Sequence, residues 1–569
     1  MIGAMEKKLS SLLDSFECKA VAADGVSPLD PSLIGATPVA GLAFDSRDVK
    51  QNYLFFALPG THVNGNKFIA SAIDSGASVI VYQDELTKEE SAQIAKSIVC
   101  RTLNNMGDAQ KKLSDLVMPV LLKVADARKA MAPVASEFYG NPSKKLIVIG
   151  VTGTEGKSST VSFIWQLLRL SGKRAGFIST VQYSLGGDAV ANPVHSTTPE
   201  APIIQRELYE MVQNGCEYAV VESSSHGLSE KLGRLDHVLF DCGVFMNVTL
   251  EHLEFHKTFE QYRDDKANLF RALDKHNHHK VVNNVPLDLT PCGIVNMEDP
   301  SAAYFAQATQ AACYGFTTKE VQPIDGVEFL SAQKITAAQD YLEFEFDHGS
   351  AFDQSHESIT ARTTCVGAFN AMNIMAAMIA VNKMADIPLR ELARRANSLI
   401  PITGRMTKIE RGQDFEVIVD YAHTPSSFEA IFPPIRNRCA GRMFALFGSG
   451  GERDLTKRPL QGQIAAKYCD IIILCDEDPR GEDPRELLSQ IAAGAIKEGK
   501  TENSNLFITP DRPKAIRQAF GMAKKGDIVL LLGKGHENSI IYKDRAMPYD
   551  EIAEAKKALA ELGYNKEIQ

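Results

Sequence analysis

The feature that most constrains this chain is a short apolar segment that leads into a glycine-rich turn and then into a helical pattern. The segment Ile147–Val151 precedes Thr-Gly-Thr-Glu-Gly-Lys-Ser-Ser-Thr at positions 152–160, and Val161–Leu170 continues with helical spacing. Backbone N–H groups of such a turn, and of the first helical residues, point at one place and favour a phosphate. Lys157 adds a positive charge and Ser158 a hydroxyl that can bind Mg²⁺. The sequence therefore predicts a nucleotide-binding loop in an α/β sheet.

The same rhythm of apolar strands, polar loops and helical patterns runs through the rest of the chain. Strand-like runs include Leu54–Leu58, Tyr218–Val221 and Asp527–Leu532, whereas residues 333–353 are short and alternating and indicate a small antiparallel insertion. A chain of 569 residues favours about three domains. Asn141-Pro142-Ser143 reads as a linker, and a new block begins near Pro401. We expect an α/β protein with domains at 1–142, 143–400 and 401–569.

Composition excludes several classes of protein. The net charge is −10 and there is no long basic run, which argues against nucleic-acid binding. The apolar runs have the length of strands rather than of a membrane span, and Met1–Phe16 lacks the apolar core of a signal peptide. None of the ten cysteines forms a C-x-x-C pair, so zinc-ribbon and thioredoxin motifs are unsupported. We expect a cytoplasmic protein with no membrane insertion.

Three motifs together resemble those of the Mur ligase family. They are the Thr-Gly-Thr-x-Gly-Lys-Ser loop, the Asn-x-x-Asn pair Asn370 and Asn373, and Asp-Tyr-Ala-His-Thr-Pro at positions 420–425. The resemblance covers nearly the whole chain. It implies a small N-terminal α/β UDP-substrate-binding domain, a central P-loop-type parallel-sheet ATPase domain and a C-terminal Rossmann-like domain that binds an amino acid. The chain departs from the family at Glu155, where Asn is usual, and an extra carboxylate beside a triphosphate should weaken binding unless it turns away or meets a cation.

The resemblance also implies a reaction. ATP would phosphorylate the D-glutamyl carboxylate of UDP-N-acetylmuramoyl-L-alanyl-D-glutamate, and the amine of a diamino acid would attack the acyl phosphate. Catalytic positions would be Lys157, Glu222, His252, Lys266 and Arg405, of which Arg405 would reach the γ-phosphate from the next domain. The expected ATP contacts are Gly153, Thr154, Glu155, Gly156, Lys157, Ser158, Ser159, Asn370, Asn373 and Asp420.

A magnesium site is expected beside the loop. Glu222 ends a strand that faces the loop, and Mg²⁺ prefers oxygen ligands that it shares with phosphates. On the residues alone, Glu222 and the following serines could equally cap a helix. The resemblance implies Mg²⁺ on Ser158, Glu222, His252 and Lys266, with Lys266 converted to a carbamate. The His and Glu residues at 251–256 do not form H-E-x-x-H, and they could also be surface residues of a short helix.

Contacts to the other two substrates follow from the resemblance. The UDP substrate would contact Ser46, Ser196, Thr197, Thr198, Ser224 and Arg234. The incoming amino acid would contact Arg453, Glu477, Asp478, Pro479, Arg480, Gly533 and Glu537. Arg453 would hold its α-carboxylate through the planar guanidinium.

The nature of the diamino acid stays open. Diaminopimelate-adding family members usually read Asp-Asn-Pro-Arg, whereas this chain reads Glu477-Asp478-Pro479-Arg480. Arg480 suits the distal carboxylate of diaminopimelate. Asp478 would instead repel that carboxylate and attract a distal ammonium, as in lysine or ornithine.

Two other functions are open. One is a ligase like folylpolyglutamate synthase, which the long first block disfavours. The other is a catalytically silent nucleotide-binding regulator, which Glu155, Glu251 and Asp478 would explain. We expect the chain to be a monomer.

Overall fold

A computed structural model describes residues 5–22, 24–30, 34–60, 63–106, 118–192, 197–249, 251, 253–338, 340–349, 352 and 357–566. Its strands form three large sheets, each flanked by helices, as the α/β prediction requires. None of the helices in this described part combines the length and the apolar character that a bilayer crossing demands. All ten cysteines are free thiols.

The first sheet is built from residues 19–123. Its order is Lys19–Val21, Val120–Lys123, Val79–Tyr82, Tyr53–Ala57 and Gly41–Ala43. All neighbours are parallel except Lys19–Val21, which runs antiparallel to Val120–Lys123. The helices of this part are Ser10–Leu13, Ile69–Asp74, Lys88–Met106 and Ala127–Phe138.

The central sheet has eleven strands. In order across the sheet they are Val190–Ala191, Gln182–Ser184, Ala175–Ile178, Tyr218–Glu222, Ile147–Thr152, Cys242–Phe245, Cys292–Asn296, Ala312–Thr317, Glu328–Ala337, Leu342–Asp347 and Ile359–Thr363. The strands from Ala175–Ile178 to Glu328–Ala337 are parallel, and both edges are antiparallel. The expected antiparallel insertion is therefore an extension of the sheet, because Glu328–Ala337 first pairs in parallel with Ala312–Thr317.

Side-chain alternation along the strand Ile147–Thr152 determines what packs on each face of this sheet. Ile147, Ile149 and Val151 pack with the helices Lys157–Leu170 and Phe369–Ala385, whereas Val148 packs with the helices on the opposite face. The helices of this part are Lys157–Leu170, Ala201–Gln213, Ser225–Leu228, Leu253–His256, Phe259–Arg271, Ala302–Ala306, Phe369–Ala385 and Leu389–Arg395.

The third sheet has the order Thr407–Lys408, Glu416–Asp420, Ile528–Leu532, Met443–Phe447, Ile471–Leu474 and Leu506–Ile508. It is parallel except at the edge strand Thr407–Lys408. Its helices are Pro425–Arg438, Lys457–Tyr468, Pro484–Lys497, Arg512–Met522 and Glu551–Glu561. Because the strands are parallel, the loops after Asp420, Phe447, Leu474 and Leu532 leave from one edge, which is where open α/β sheets bind ligands.

Candidate functional site

The glycine-rich turn has the geometry of a phosphate loop. Gly153 and Gly156 have φ values of +154° and +81°, and the helix begins directly afterwards, at Lys157. A Cβ on Gly156 would lie 2.7 Å from Asn373 Oδ1, so this position requires glycine. The Lys157 ammonium donates to the Thr154 carbonyl at 2.8 Å and thereby lies over the loop.

Asn247 holds the loop from the neighbouring strand. Its Oδ1 accepts from the N–H of Glu155 at 2.8 Å and of Thr154 at 3.2 Å, and its Nδ2 donates to the Glu155 carbonyl at 3.2 Å. Asn247 has no predicted role, although it lies only two residues past the end of the strand Cys242–Phe245, next to the loop. An amide that both donates and accepts fixes the loop without adding charge.

Two of the four expected metal ligands lie together below the loop. Glu222 is 1% exposed, and its Oε2 accepts from the Ser158 hydroxyl at 2.9 Å and from the Thr180 N–H at 2.8 Å. Ser158 and Glu222 both offer hard oxygen ligands, and a phosphate bound to the loop would present its own oxygens at the same place. The residues thus fit Mg²⁺ by their chemistry. His252 lies outside the described residues.

Lys266 is buried beside them, at 1% exposure, and its Nζ donates to the Gly153 carbonyl at 2.6 Å. Burial, together with the positive charge of Lys157, lowers the pKa of Lys266 well below its usual value. A lysine in this state is a neutral amine for part of the time and can react with CO₂.

A cavity of about 450 Å³ extends from the loop to the third sheet. The sequence-predicted residues along its wall are Glu155, Gly156, Ser159, Asn370, Asn373, Arg405 and Asp420. Asn373 donates to Asn370 at 3.0 Å, so the pair lies on one helical face as predicted. Asp420 accepts from the N–H groups of Met406 and Ala422, both at 2.7 Å, and burial raises its pKa.

Thr198, Ser224 and Arg234 meet on the other side of Glu222. The Thr198 hydroxyl donates to the Glu222 carbonyl at 3.1 Å and accepts from the Ser224 hydroxyl at 2.9 Å. Arg234 donates to the Thr198 carbonyl at 3.0 Å. Ser196 lies outside the described residues, and Thr197 is half-buried at the start of this segment. Ser46 follows the strand Gly41–Ala43 on the first sheet, so its part in the site stays a prediction.

Glu200 joins this group to the first part of the chain. Its Oε1 accepts from Arg234 and from Arg128, both at 2.9 Å, and Arg128 belongs to the helix Ala127–Phe138. Nothing in the sequence pattern indicated that Arg128 meets the segment after Ser196.

A second cavity, of about 360 Å³, lies at the carboxyl edge of the third sheet. Its wall includes the predicted residues Arg453, Glu477, Asp478, Arg480 and Glu537. The loops converge because Gly451 N–H donates to the Asp478 carbonyl at 2.8 Å. Pro479 lies in the same segment, and a Cβ on Gly533 would lie 2.6 Å from Glu477 Oε2.

Asp478 does not present a free charge to this cavity, contrary to the expectation from sequence. Its Oδ1 accepts from the buried Lys534 ammonium at 2.8 Å and from Ile541 N–H at 2.9 Å. Lys534 also donates to Glu537. Two atoms of the cavity wall have no hydrogen-bond partner among the described residues: the buried Oε2 of Glu477 and the Nε of Arg480.

His423 lines the second cavity and faces Glu251 there. Its Nδ1 lies 2.8 Å from the Tyr421 carbonyl, and its Nε2 lies 3.5 Å from Glu251 Oε1. Burial alone would lower the pKa of His423, but Glu251 outweighs it and leaves that pKa above its usual value. Glu251 is thus paired with His423, which follows the strand Glu416–Asp420 of the third sheet.

Asp241, His276 and His278 form a separate group with the spacing of metal ligands. His278 Nε2 faces the Leu273 carbonyl at 2.6 Å and Nδ1 faces Asp241 at 3.0 Å. His276 Nε2 faces the Phe240 carbonyl at 2.8 Å. Because these nitrogens are engaged by protein acceptors, the group serves packing rather than metal binding.

Comparison with known proteins finds three matching family patterns. They are described as Mur ligase family, catalytic domain, over residues 38–139, Mur ligase middle domain over 151–381, and Mur ligase, glutamate ligase domain over 404–535.

Curated relatives match over nearly the whole length. The UDP-N-acetylmuramyl-tripeptide synthetase of Treponema denticola is 50% identical, with 90% of each chain covered. The UDP-N-acetylmuramoyl-L-alanyl-D-glutamate–2,6-diaminopimelate ligase of Geobacillus kaustophilus is 34% identical, with 93% of this chain and 96% of the relative covered.

Solved structures share the fold at lower identity. A UDP-N-acetylmuramoyl-L-alanyl-D-glutamate–2,6-diaminopimelate ligase gives a TM-score of 0.56 at 24% identity, covering 96% of this chain and all of that one (100%). MurF from Acinetobacter baumannii gives 0.62 at 16% identity, with 99% of each chain covered. The chain therefore belongs to the Mur ligase family, the ATP-dependent amide ligases of peptidoglycan synthesis.

Proposed function

We propose that this chain joins a diamino acid to UDP-N-acetylmuramoyl-L-alanyl-D-glutamate at the expense of ATP. The observation that carries the proposal is that the phosphate loop contacts both neighbouring groups: Ser158 donates to Glu222 beside Thr198, and Glu155 accepts from Thr424 at the second cavity. The phosphate loop and Glu222 lie between the Thr198–Ser224–Arg234 group on one side and the cavity with Arg453 and Glu477 on the other. The relatives' names support the same substrates.

Binding of ATP uses the loop and the first turn of its helix. The N–H groups of Gly153–Ser159 and the Lys157 ammonium would surround the β- and γ-phosphates. Asn370 and Asn373 line the cavity further along and suit the adenine edge, which offers both donors and acceptors. Arg405, from the far side of the cavity, would stabilise charge on the transferring phosphoryl group.

Ser158, Glu222, His252 and Lys266 as its carbamate would hold Mg²⁺. When bound, the cation supplies positive charge against the phosphate oxygens. Formation of the carbamate fits Lys266, because its nitrogen can attack the carbon of CO₂ and release a proton, and burial already favours the neutral amine.

The order of the reaction steps then follows from where these three groups of residues lie. An oxygen of the D-glutamyl carboxylate attacks the γ-phosphorus, and ADP leaves. The amine of the diamino acid attacks the acyl carbon, loses a proton, and expels inorganic phosphate from the tetrahedral intermediate. The Thr198, Ser224 and Arg234 group would position the UDP substrate, and Arg453 would bind the α-carboxylate of the amino acid.

The wall of the second cavity favours a diamino acid whose distal end carries both charges. Among the described residues, Arg480 Nε and Glu477 Oε2 have no hydrogen-bond partner there, whereas Lys534 binds both Asp478 and Glu537. A distal carboxylate and ammonium, as in meso-diaminopimelate, would satisfy both. Lysine or ornithine would leave the half-buried Arg480 without a carboxylate partner, which costs affinity because its Nε stays without a hydrogen-bond acceptor.

Phosphate release with separate diamino acids tests the proposal. We expect release with the UDP dipeptide, ATP and diaminopimelate, and weaker release with lysine or ornithine. Arg480→Ala should narrow that difference, and Asp478→Asn should leave the preference in place. No release with any of the three amino acids would refute the ligase assignment, whereas the reversed preference would refute only the assignment of the amino acid.

The relatives' names favour this function over a folate ligase or a silent regulator. We further propose domain limits at 142/143 and 400/401, between the strands of successive sheets. A cytoplasmic location, a monomeric state and a lack of nucleic-acid binding stay predictions.

A further inference from the structure

The carboxylate of Glu155 reaches from the phosphate loop to the part of the chain that forms the third sheet. Its Oε1 accepts a hydrogen bond from the Thr424 hydroxyl at 2.9 Å. Thr424 is 4% exposed and immediately precedes the helix Pro425–Arg438. The Glu155 carboxylate, which would repel a triphosphate, is thus turned towards Thr424.

Thr424 is prepared to donate this hydrogen bond. It caps the helix: its hydroxyl accepts from Ser427 N–H at 3.1 Å, and Ser427 Oγ accepts from Thr424 N–H at 3.0 Å. Of the oxygens around the Thr424 hydroxyl, which include Ser426 Oγ at 3.0 Å and Ser427 Oγ at 2.9 Å, only the Glu155 carboxylate is purely an acceptor. The hydroxyl proton therefore goes to Glu155.

The end of the helix adds a second stabilising interaction. The helix Pro425–Arg438 has 14 residues, and its N-terminus carries the positive end of the backbone dipole. A carboxylate at this end is favoured, whereas the same carboxylate facing a triphosphate is not. Lys157 does not compensate Glu155 in this structure, since its ammonium is directed at the Thr154 carbonyl.

We infer that Glu155 is a positioning residue that couples nucleotide occupancy of the loop to the docking of the helix Pro425–Arg438 against it. The inference rests on the proposed function, because it requires a triphosphate on the loop. A bound triphosphate repels the Glu155 carboxylate, and the hydrogen bond from Thr424 holds that carboxylate away from the phosphates. Nucleotide binding and docking of the third sheet's part of the chain therefore favour each other.

The position of this contact, between the two cavities, indicates what the coupling contributes to the reaction. Glu155 lines the cavity at the phosphate loop, and Thr424 lines the cavity with Arg453 and Glu477. The hydrogen bond thus lies in the wall between them. Bound nucleotide favours docking of the helix, which holds the amino-acid cavity beside the phosphate and limits loss of an acyl phosphate to water.

Two substitutions of Glu155 separate its charge from its contact. Glu155→Asp keeps the charge but shortens the side chain by one methylene, so that it no longer reaches Thr424. Glu155→Gln removes the charge and keeps an oxygen that can accept. The measurements are the affinity for a non-hydrolysable ATP analogue with Mg²⁺, by calorimetry, and the change in radius of gyration on adding it, by small-angle X-ray scattering.

We expect Glu155→Asp to bind the analogue about five- to tenfold more weakly and to contract less. Glu155→Gln should bind at least as tightly as the wild type, yet also contract less. Thr424→Val should weaken binding in the wild-type background and have a smaller effect in the Glu155→Gln background, while Thr424→Ser, which retains the cap, should resemble the wild type.

Wild-type affinity and contraction in Glu155→Asp would overturn the inference. Equal effects of Thr424→Val in both backgrounds would do so as well, because a merely structural cap has no reason to depend on Glu155. Failure of the wild-type chain to bind the analogue at all would instead refute the proposed function.

Discussion

A buried ion pair behind the amino-acid cavity provides a quantitative test of how the third sheet holds its loops. Arg512 and Glu551 are 1% and 0% exposed. The Arg512 guanidinium donates to both Glu551 oxygens, at 2.8 and 2.9 Å, and to the backbone carbonyls of Leu532 at 2.7 Å and Asp476 at 3.2 Å. The Asp476 carbonyl precedes Glu477, which lines the amino-acid cavity, and the Leu532 carbonyl precedes Gly533, which contacts Glu477.

Arg512→Met should destabilise the third sheet's part of the chain by about 3–5 kcal/mol. That is the usual cost of removing one partner of a buried ion pair, because the remaining Glu551 carboxylate is left uncompensated. The double substitution Arg512→Met with Glu551→Leu removes that carboxylate as well. It should be about 2 kcal/mol less destabilising than Arg512→Met alone, leaving mainly the cost of two carbonyls without a donor.

Arg517 on the same helix provides the matched control. It pairs with Glu554 and Glu561 of the helix that also carries Glu551, but its side chain is 31% exposed. Arg517→Met should therefore cost below about 1 kcal/mol. The single tryptophan, Trp165, packs with the central sheet, so its fluorescence does not report on this region.

Hydrogen exchange of the strand Ile528–Leu532 in increasing urea, followed by mass spectrometry, measures the local stability directly. The KM for the diamino acid should rise in Arg512→Met and not in Arg517→Met. The reasoning is refuted if Arg512→Met and Arg517→Met are equally stable, or if the effects of Arg512→Met and Glu551→Leu simply add.

Three further substitutions test other parts of the site. Lys266→Arg keeps a positive charge but cannot form a carbamate, and we expect phosphate release to fall by about a hundredfold or more, with correct folding checked by circular dichroism. Gly156→Ala should abolish tight ATP binding in calorimetry, because a Cβ would lie 2.7 Å from Asn373 Oδ1 at a φ of +81°. Burial raises the pKa of Asp476 to about 6, so the folded chain binds its proton more tightly than the unfolded chain. Asp476→Asn should therefore raise the melting temperature above pH 6, an advantage that shrinks as the pH falls towards 4 and that calorimetry across this range would detect.

Local sequence patterns predicted much of the fold. The strands near Leu54, Tyr218 and Ile528 were predicted within a residue or two, since uninterrupted apolar runs between turn residues are typical of buried parallel strands. The phosphate loop was predicted for a similar reason, because its glycines, Lys157 and the helix that follows are adjacent in sequence.

Local sequence patterns do not predict contacts between distant segments. The pairing of Asp478 with Lys534 joins residues 56 positions apart and reverses the expected effect of Asp478 on the distal charge of the substrate. The Asn247 hydrogen bonds to the loop and the Glu155–Thr424 contact have the same origin. In each case the role of a polar side chain depends on the element that packs against it, and that element is distant in the sequence.

The place of the antiparallel insertion in the central sheet was not predictable from its sequence. Alternation in residues 333–353 predicted strands correctly, but a period of two does not reveal which strand they pair with. Parallel pairing of Glu328 with Tyr314 begins the edge that the later strands extend.

Transfer of oxygen from the substrate to phosphate tests the central claim most directly. UDP-N-acetylmuramoyl-L-alanyl-D-glutamate labelled with ¹⁸O in the free glutamyl carboxylate is turned over with ATP and diaminopimelate, and the inorganic phosphate is examined by mass spectrometry. The account predicts one ¹⁸O in the phosphate for each amide formed, because the acyl phosphate loses its bridging oxygen with the phosphate. Amide formation with unlabelled phosphate, or ATP cleavage without amide formation, would contradict it.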